Sequence, residues 1–150
     1  MSLTTRRATP DDTETFLQMC RDFHIEDGSP LDAAGEATIT HVCQGEPLAP
    51  AYMLEFGGEP AGFFVLTLGY SVENGGIDGF IDDIYLLPRL RGQGLGRKAV
   101  QLAIDAALEL GIRVLLLEVE EHNERAYGLY SKMGFYDTKR RLLRQVISCN

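Results

Sequence analysis

The sequence predicts a mixed α/β domain. Two β-rich runs, Ala51–Phe56 and Ala61–Leu68, flank the glycine-rich turn Gly57–Pro60, which is typical of a β-hairpin. Apolar residues then recur at helical spacing over Gly94–Leu110. A continuous apolar run, Val114–Leu117, follows this helix, as expected of a strand that is buried on both faces. A hairpin followed by a strand–helix–strand crossover indicates the α/β class.

The other elements follow from the same spacing rules. A proline and two acidic residues mark the start of the first helix, because acidic side chains favour the positive end of the helix dipole. Gly111 and Gly134 mark the ends of two later helices, since glycine readily adopts the left-handed conformation that ends a helix. The remaining predicted strands are Leu3–Ala8, Phe80–Leu87, Phe135–Lys139 and Leu142–Ile147, and the remaining predicted helices are Pro10–Phe23, Leu31–Val42 and Asn123–Met133.

Length and composition limit the classes of function. A chain of 150 residues with 45% apolar and 24% charged residues is typical of one soluble globular domain. The formal net charge of −8 argues against a nucleic-acid partner, because phosphate contacts need clustered Lys and Arg. No apolar run approaches ~18 residues, and Met1–Arg7 carries no apolar signal segment. We therefore expect a cytoplasmic protein with no membrane partner.

Cysteine and histidine usage gives no indication of a metal site. Cys20, Cys43 and Cys149 are odd in number and never stand at the CxxC spacing, which argues against a disulfide framework or a zinc site. The three histidines are equally scattered along the chain. We expect no bound metal. The acidic excess is compatible with a cationic substrate, although solubility alone is the better supported explanation for it.

The most informative segment is Arg91–Gly96, which follows a predicted strand and opens a helix. The N–H groups at a helix start are unpaired and lie at the positive end of its dipole, and glycines allow the backbone to approach a phosphate. The segment therefore predicts a pyrophosphate site, with a plain glycine-rich turn as the alternative. Its spacing excludes a Walker A loop, which ends in Gly-Lys-Ser/Thr, and a dinucleotide fingerprint, which needs Gly-x-Gly-x-x-Gly.

Two motifs resemble the GNAT superfamily of N-acetyltransferases. Arg91–Gly96 fits the pattern Arg/Gln-x-x-Gly-x-Gly/Ala, which holds the pyrophosphate of coenzyme A in that family. Asn123–Phe135 fits the family element Asn-x-x-Ala-x-x-x-Tyr-x-x-x-Gly-Phe. The stretch Asp82–Pro88 resembles the strand that leads into the pyrophosphate loop. The order of these segments extends the resemblance from about Ala51 to the end of the chain.

The resemblance implies a fold and a cosubstrate. The expected fold is one GNAT domain over residues 1–150, with a mixed, mostly antiparallel sheet of six or seven strands and helices on both faces. Strands Phe80–Leu87 and Val114–Val119 are expected to splay apart, often with the help of a bulge, to admit the cofactor. The cosubstrate implied is acetyl-CoA.

The resemblance also assigns binding roles by position. The backbone of Leu86 and Leu87 would pair with the pantetheine arm like an added strand. The N–H groups of Gln93 to Arg97 would hold the pyrophosphate, and Asn123 would hydrogen-bond the arm from the other side. The cofactor-binding residues implied are Leu86, Leu87, Arg91, Gly92, Gln93, Gly94, Leu95, Gly96, Arg97, Asn123 and Tyr130.

Amide formation needs a base and an acid. A primary amine with a pKa of about 10 must lose a proton before it attacks a thioester, and a thiolate leaving group with a pKa of about 8.5 benefits from a proton donor. By resemblance, Tyr130 is the general acid and Asp82 the general base, with Asp83 and Glu118 as open alternatives for the base. Neighbouring residues of a regular strand point to opposite faces, so only one of the two aspartates is expected to face the cleft.

The resemblance thus implies transfer of an acetyl group from acetyl-CoA to a primary amine, by direct attack in a ternary complex. The acidic stretches Asp78–Asp83 and Glu118–Glu121 favour a small cationic acceptor such as a polyamine. The alternatives are an antibiotic amine, a protein lysine or N-terminal amine as acceptor, or a non-catalytic acyl-CoA-binding module. A homodimer is a further hypothesis, because many members of the family are dimers, some through their last strands, and Leu142–Ile147 is apolar enough to take part.

Overall fold

The computed structural model describes residues 1–148, which divide into two compact units covering residues 1–118 and 119–148. Within the described residues, the first unit contains five β-strands and three α-helices, and the second contains one α-helix. The elements of the first unit are β1 (Leu3–Arg7), α1 (Thr13–Glu26), α2 (Ala33–Cys43), β2 (Ala51–Phe56), β3 (Glu59–Ser71), β4 (Gly76–Leu86), α3 (Leu95–Glu109) and β5 (Val114–Leu116). The helix of the second unit is α4 (Glu124–Lys132).

The five strands form one mixed sheet in the order β1-β2-β3-β4-β5. The first three pairings are antiparallel, and β4 pairs with β5 in parallel. This last pairing is short, because Asp78–Phe80 alone lies opposite Val114–Leu116. Beyond Phe80, β4 continues to Leu86 with β3 as its ladder partner. The edge of β4 from Ile81 to Leu86 that lies on the β5 side is therefore without a strand partner among the described residues, and we call it the splayed edge.

Helices cover both faces of this sheet, as expected. On one face α1 and α2 pack against side chains of the three longer central strands, among them Met53, Phe63 and Tyr85. Side chains alternate along a strand, so Leu54 and Phe64 point to the opposite face, where α3 lies against the sheet. The sheet-facing side of α3 is rich in small buried residues, which allow a close approach: Ala99, Val100, Ala103, Ala106 and Ala107.

The prediction of two further strands at Phe135–Lys139 and Leu142–Ile147 is wrong, and with it the count of six or seven. Residues 135–148 contain no strand. Lys139 adopts a left-handed φ of 62°. The N–H of Lys139 donates to Oδ1 of Asp137 at 2.8 Å, and the N–H of Arg140 donates to Oγ1 of Thr138 at 3.2 Å. These local side-chain bonds compete with a strand ladder, so β-forming side chains alone do not produce a strand here.

Strands β3 and β4 extend beyond the predicted ranges Ala61–Leu68 and Phe80–Leu87. Their ladder continues to the pair Ser71 and Gly76, in spite of the glycines in this segment. The glycines are accommodated inside the strands, and at Gly79 the approach is so close that an added Cβ would meet the carbonyl oxygen of Thr67. Close backbone approach explains why glycine is found in the interior of this strand.

Candidate functional site

The edge of β4 that faces away from β3 is the first feature of the site. The N–H of Leu87 donates to the carbonyl of Ala61 across the β3–β4 ladder at 2.8 Å. Backbone groups of an antiparallel strand alternate between its two edges, so those of Leu86 and Ile84 point away from β3. The carbonyl of Leu86 accepts a hydrogen bond from Nε of Arg91 at 2.8 Å. The splayed edge therefore presents both backbone groups of Ile84 and the N–H of Leu86.

This geometry refines the positions that were expected to pair with an extended ligand. The N–H of Leu87 points toward β3, and the carbonyl of Leu87 accepts a hydrogen bond from the N–H of Leu90 at 2.9 Å. Ile84 and Leu86, two residues apart, share the splayed edge instead. The resemblance to the GNAT family did not name Ile84. The alternation of backbone groups along a strand, counted back from Leu86, would have indicated it.

The glycine-rich loop is the second feature. Gly92 and Gly94 adopt left-handed φ angles of 77° and 79°, and Gly94 is the N-cap of α3 without a side-chain capping bond. Within residues 1–148, no hydrogen bond inside the protein engages the N–H groups of Gln93 to Arg97. An added Cβ at Gly92, Gly94 or Gly96 would meet no atom within 4 Å, so the space beside the loop is open. The loop therefore offers a row of N–H donors at a helix start.

Positive charge is concentrated around this loop, although the chain as a whole is acidic. Arg89, Arg91, Arg97 and Lys98, four of the 14 basic residues, lie within ten positions and are exposed. They add to the positive end of the α3 dipole, so this end of the sheet suits an anion.

Arg91 has a different role from its basic neighbours. Its guanidinium bonds to Leu86, contacts Glu26 of α1 at 3.0 Å, and lies over the ring of Tyr85 at 5.2 Å. Arg91 thus fixes the loop against α1 and the end of β4.

The third feature is an interruption of β4 at its two aspartates. On β3, Val65 pairs with Asp83 and the next residue, Leu66, pairs with Ile81, so Asp82 is an extra residue in a β-bulge. A bulge breaks the alternation of side chains, which removes the basis for expecting the two aspartates on opposite faces. Nε2 of His24, from α1, lies 3.1 Å from Oδ2 of Asp83, and the electrostatic influence of His24 reaches both carboxylates.

The environment of the bulge raises the pKa of both carboxyl groups. Burial, and after it the charge of Asp82, raise the pKa of Asp83 to about 6, although His24 opposes both effects. Burial also raises the pKa of Asp82, and the charge of His24 again opposes the rise. The residue Asp82 is exposed by surface area, yet the surrounding protein limits the hydration of its carboxylate. Both groups are therefore better bases than a fully hydrated aspartate.

The third candidate base, Glu118, lies beyond the end of β5 and is exposed. In the second unit, Asn123 is the N-cap of α4, where its Oδ1 accepts the N–H of Ala126 at 3.2 Å. Tyr130 is half-buried on α4, and its ring meets that of Phe135 edge-on with centroids 5.9 Å apart. Burial raises the pKa of the Tyr130 phenol, so it is protonated at neutral pH.

The structure brings most of the candidate residues of the first unit together. Asp82, Leu86 and the glycine-rich loop follow one another along β4 and the turn after it. In the second unit, Asn123 caps α4 and Tyr130 lies on it. Cys20 and Cys43 are buried free thiols, and Cys149 lies outside the described residues. Among residues 1–148, no group of three or more His, Cys, Asp or Glu is arranged to hold a metal ion. None of the described helices combines the length and apolarity needed to cross a bilayer.

Solved structures share this architecture. A metagenomic integron cassette protein from Cole Harbour salt marsh superposes with a TM-score of 0.81 at 33% identity, covering 97% of this chain and 91% of that one. A predicted acetyltransferase from Clostridium acetobutylicum, solved with acetyl-CoA, superposes with a TM-score of 0.76 at 19% identity, covering 95% of this chain and 96% of that one. The second likeness concerns the fold alone.

Sequence relatives point to the same family. Thialysine N-epsilon-acetyltransferase from Bos taurus is 33% identical over 117 residues, covering 75% of this chain and 65% of that enzyme. The match thus spans just under two thirds of the bovine relative. The corresponding enzyme from Sus scrofa is 29% identical over 152 residues, covering 91% and 85%. The sequence profile of the Acetyltransferase (GNAT) family matches residues 16–135. The chain therefore belongs to the GNAT acetyltransferase family.

Proposed function

We propose that the protein transfers an acetyl group from acetyl-CoA to a primary amine by direct attack in a ternary complex. The observation that carries this proposal is the continuity of two binding features along one segment. The splayed edge of β4 leads directly into a helix start whose N–H groups have no partner inside the described chain. Coenzyme A has a matching order of groups, with an amide-bearing pantetheine arm followed by a pyrophosphate.

Each part of the cofactor has a matching set of donors and acceptors. The pantetheine amides pair with the edge groups of Ile84 and Leu86, as an extended peptide pairs with a sheet edge. The pyrophosphate accepts hydrogen bonds from the N–H groups of Gln93 to Arg97. The side-chain nitrogen of Asn123 is the donor that its capping bond does not use, and it serves the pantetheine arm. In this proposal residues 1–150 act as one GNAT domain.

The proposed chemistry uses one acid and one base. Asp82 accepts the proton that the acceptor ammonium loses, and the free amine attacks the thioester carbonyl carbon. The new C–N bond forms as the C–S bond breaks, and Tyr130 donates its phenolic proton to the departing thiolate. The attacking nitrogen then loses its second proton to the Tyr130 phenolate, which gives the neutral amide and restores the phenol. The raised pKa of Asp82 favours it as a base, and the raised pKa of Tyr130 keeps its proton available at neutral pH.

The proposed acceptor is a small cationic amine. The net charge of −8 and the carboxylates at the β4 bulge favour a cation. Relatives from cattle, mouse and pig are named for thialysine, and a 35% identical relative from Salmonella typhimurium is a peptidyl-lysine N-acetyltransferase. Thialysine and lysine side chains both end in a primary amine on a short chain, a feature that polyamines share. A protein lysine is the second candidate, favoured by the Salmonella relative.

An amine panel tests the proposed transfer. We expect purified protein and acetyl-CoA to release free thiol when thialysine, lysine or a polyamine is added, and much less with aminoglycosides or lysine peptides. Asp82→Asn should lower kcat by about 10²-fold or more, because the substrate ammonium loses its proton acceptor. Asp78 lies on the same strand, and its carboxylate accepts a hydrogen bond from the side-chain nitrogen of Asn74. Asp78→Asn is therefore the matched control and should retain activity. Binding of acetyl-CoA without thiol release from any amine would favour a non-catalytic module.

Two substitutions should separate cofactor binding from chemistry. Gly96 has open space beside it and no left-handed φ, so Gly96→Glu should fold, while its charge and bulk weaken acetyl-CoA binding by about tenfold or more. Tyr130→Phe should lower kcat and leave that affinity unchanged, with Tyr127→Phe, 47% exposed, as control. Calorimetric titration and steady-state kinetics measure the two effects. Full affinity in Gly96→Glu would refute the loop assignment, and full kcat in Tyr130→Phe would remove that residue from the mechanism.

We also propose a homodimer that involves the C-terminal segment, residues 135–148. Its apolar side chains are exposed, Leu143 at 87% and Ile147 at 92%, and it carries four basic residues on an acidic chain. A second copy offers both an edge strand, β5, and complementary charge. Sedimentation should show a dimer at micromolar concentration that Leu143→Lys with Ile147→Lys dissociates. A wild-type protein that stays monomeric would contradict this.

A further inference from the structure

His24 is fixed beside the β4 bulge by two contacts. Its Nε2 lies 3.1 Å from Oδ2 of Asp83, and the two side chains are 23% and 17% exposed. Its ring also meets that of Phe23 edge-on, with centroids 5.1 Å apart and planes inclined by 71°. His24 stands in the last turn of α1, where the helix dipole favours a cation. This histidine is therefore held in place rather than free to sample solvent.

This contact makes two neighbouring carboxylates unequal. Asp83 is engaged by His24, whereas within residues 1–148 no side chain or backbone N–H donates a hydrogen bond to Asp82. The bulge brings both groups under the influence of the same histidine. Asp82 is also the more exposed of the two residues, so it is the one that an incoming cation can reach.

We propose that His24 is a positioning residue that holds the Asp83 carboxylate against α1 and leaves the Asp82 carboxylate as the group that receives the acceptor ammonium. This inference rests on the proposed amine acetyltransferase and adds a residue to its mechanism. Nothing in the GNAT motifs at Arg91–Gly96 or Asn123–Phe135 includes His24, which lies in α1 far from both in sequence.

The charges around Asp83 explain why such a partner is needed. Asp82 lies beside it on β4, and Asp27 acts on it from the end of α1. Cys20 of α1 is a buried thiol whose pKa is raised by burial and then by the charge of Asp83. Asp82 and Asp27 repel a negative charge on Asp83, and burial disfavours that charge as well. Two adjacent carboxylates without a cation would share a proton, and a protonated Asp82 accepts none from the substrate. His24 opposes these effects, because its charge lowers the pKa of both Asp82 and Asp83.

Carbon-13 NMR of the aspartate carboxyl groups tests the pairing without any substrate. We expect the Asp83 resonance to titrate near pH 6, the value to which its environment raises the pKa of this carboxyl. His24→Gln keeps a hydrogen-bond donor but removes the charge, so the midpoint should move up by roughly one pH unit. Asp82→Asn removes a repelling charge, so the midpoint should move down. His41→Gln is the matched control, since His41 pairs with Glu46 at 2.7 Å on the exposed surface.

Kinetics test the consequence for the reaction. His24→Gln should shift the acid limb of kcat/KM for the amine upward by roughly one pH unit. On the alkaline plateau its kcat should stay within about twofold of wild type, because both carboxylates are ionised there. A purely structural histidine would instead lower kcat at every pH. His24→Asn gives a second uncharged variant, to be compared if His24→Gln does not fold.

The NMR titration and the kinetics together distinguish a wrong role for His24 from a wrong proposed function. An unmoved Asp83 midpoint in His24→Gln, or an unshifted acid limb, would overturn the role of His24 while leaving acetyl transfer intact. No transfer with any amine would refute the proposed function, and the NMR titration would still decide whether His24 controls Asp83.

Discussion

The candidate site depends on the loss of pairing between β4 and β5 after Phe80. Parallel strands that stayed together would cover the edge of β4 and leave no backbone groups for a ligand. Here β5 ends after three residues, and β4 continues alone on that side to Leu86. The backbone groups uncovered there have no ladder partner among the described strands, which is why this open edge suits an extended ligand.

The same strand carries the chemical groups. A regular strand would place Asp82 and Asp83 on opposite sides of the sheet, with one carboxylate in each layer. The bulge at Asp82 removes that separation and brings both under the charge of His24. The bulge thus places the carboxylates where the acceptor amine is proposed to bind. Arg91 ties the end of β4 to the glycine-rich loop, where the pyrophosphate is proposed to bind. Charge is divided in the same way, with carboxylates at the bulge and basic residues at the loop.

Much of the fold could be predicted from the sequence because its signals are local. Apolar spacing located α3 and β5, and the glycines at 92, 94 and 96 located the loop. The last two strands were predicted wrongly because a strand exists only with a partner, and residues 137–140 form local hydrogen bonds between side chain and backbone instead. The contact between His24 and Asp83 joins residues 59 positions apart, and the bulge depends on the register with β3, so no local pattern contains either feature. The motif residues Asn123 and Tyr130 were recognisable by spacing, whereas their roles stay predictions.

Mapping coenzyme A onto the backbone amides tests the central claim most directly. The account predicts that coenzyme A, titrated into nitrogen-15-labelled protein, perturbs the amide signals of Gln93 to Arg97 together with those of Ile84 and Leu86. Joint perturbation would place the pyrophosphate at the helix start and the pantetheine arm along the splayed edge. Binding that leaves both groups of amides unchanged, or that perturbs the loop without the β4 edge, would contradict the account.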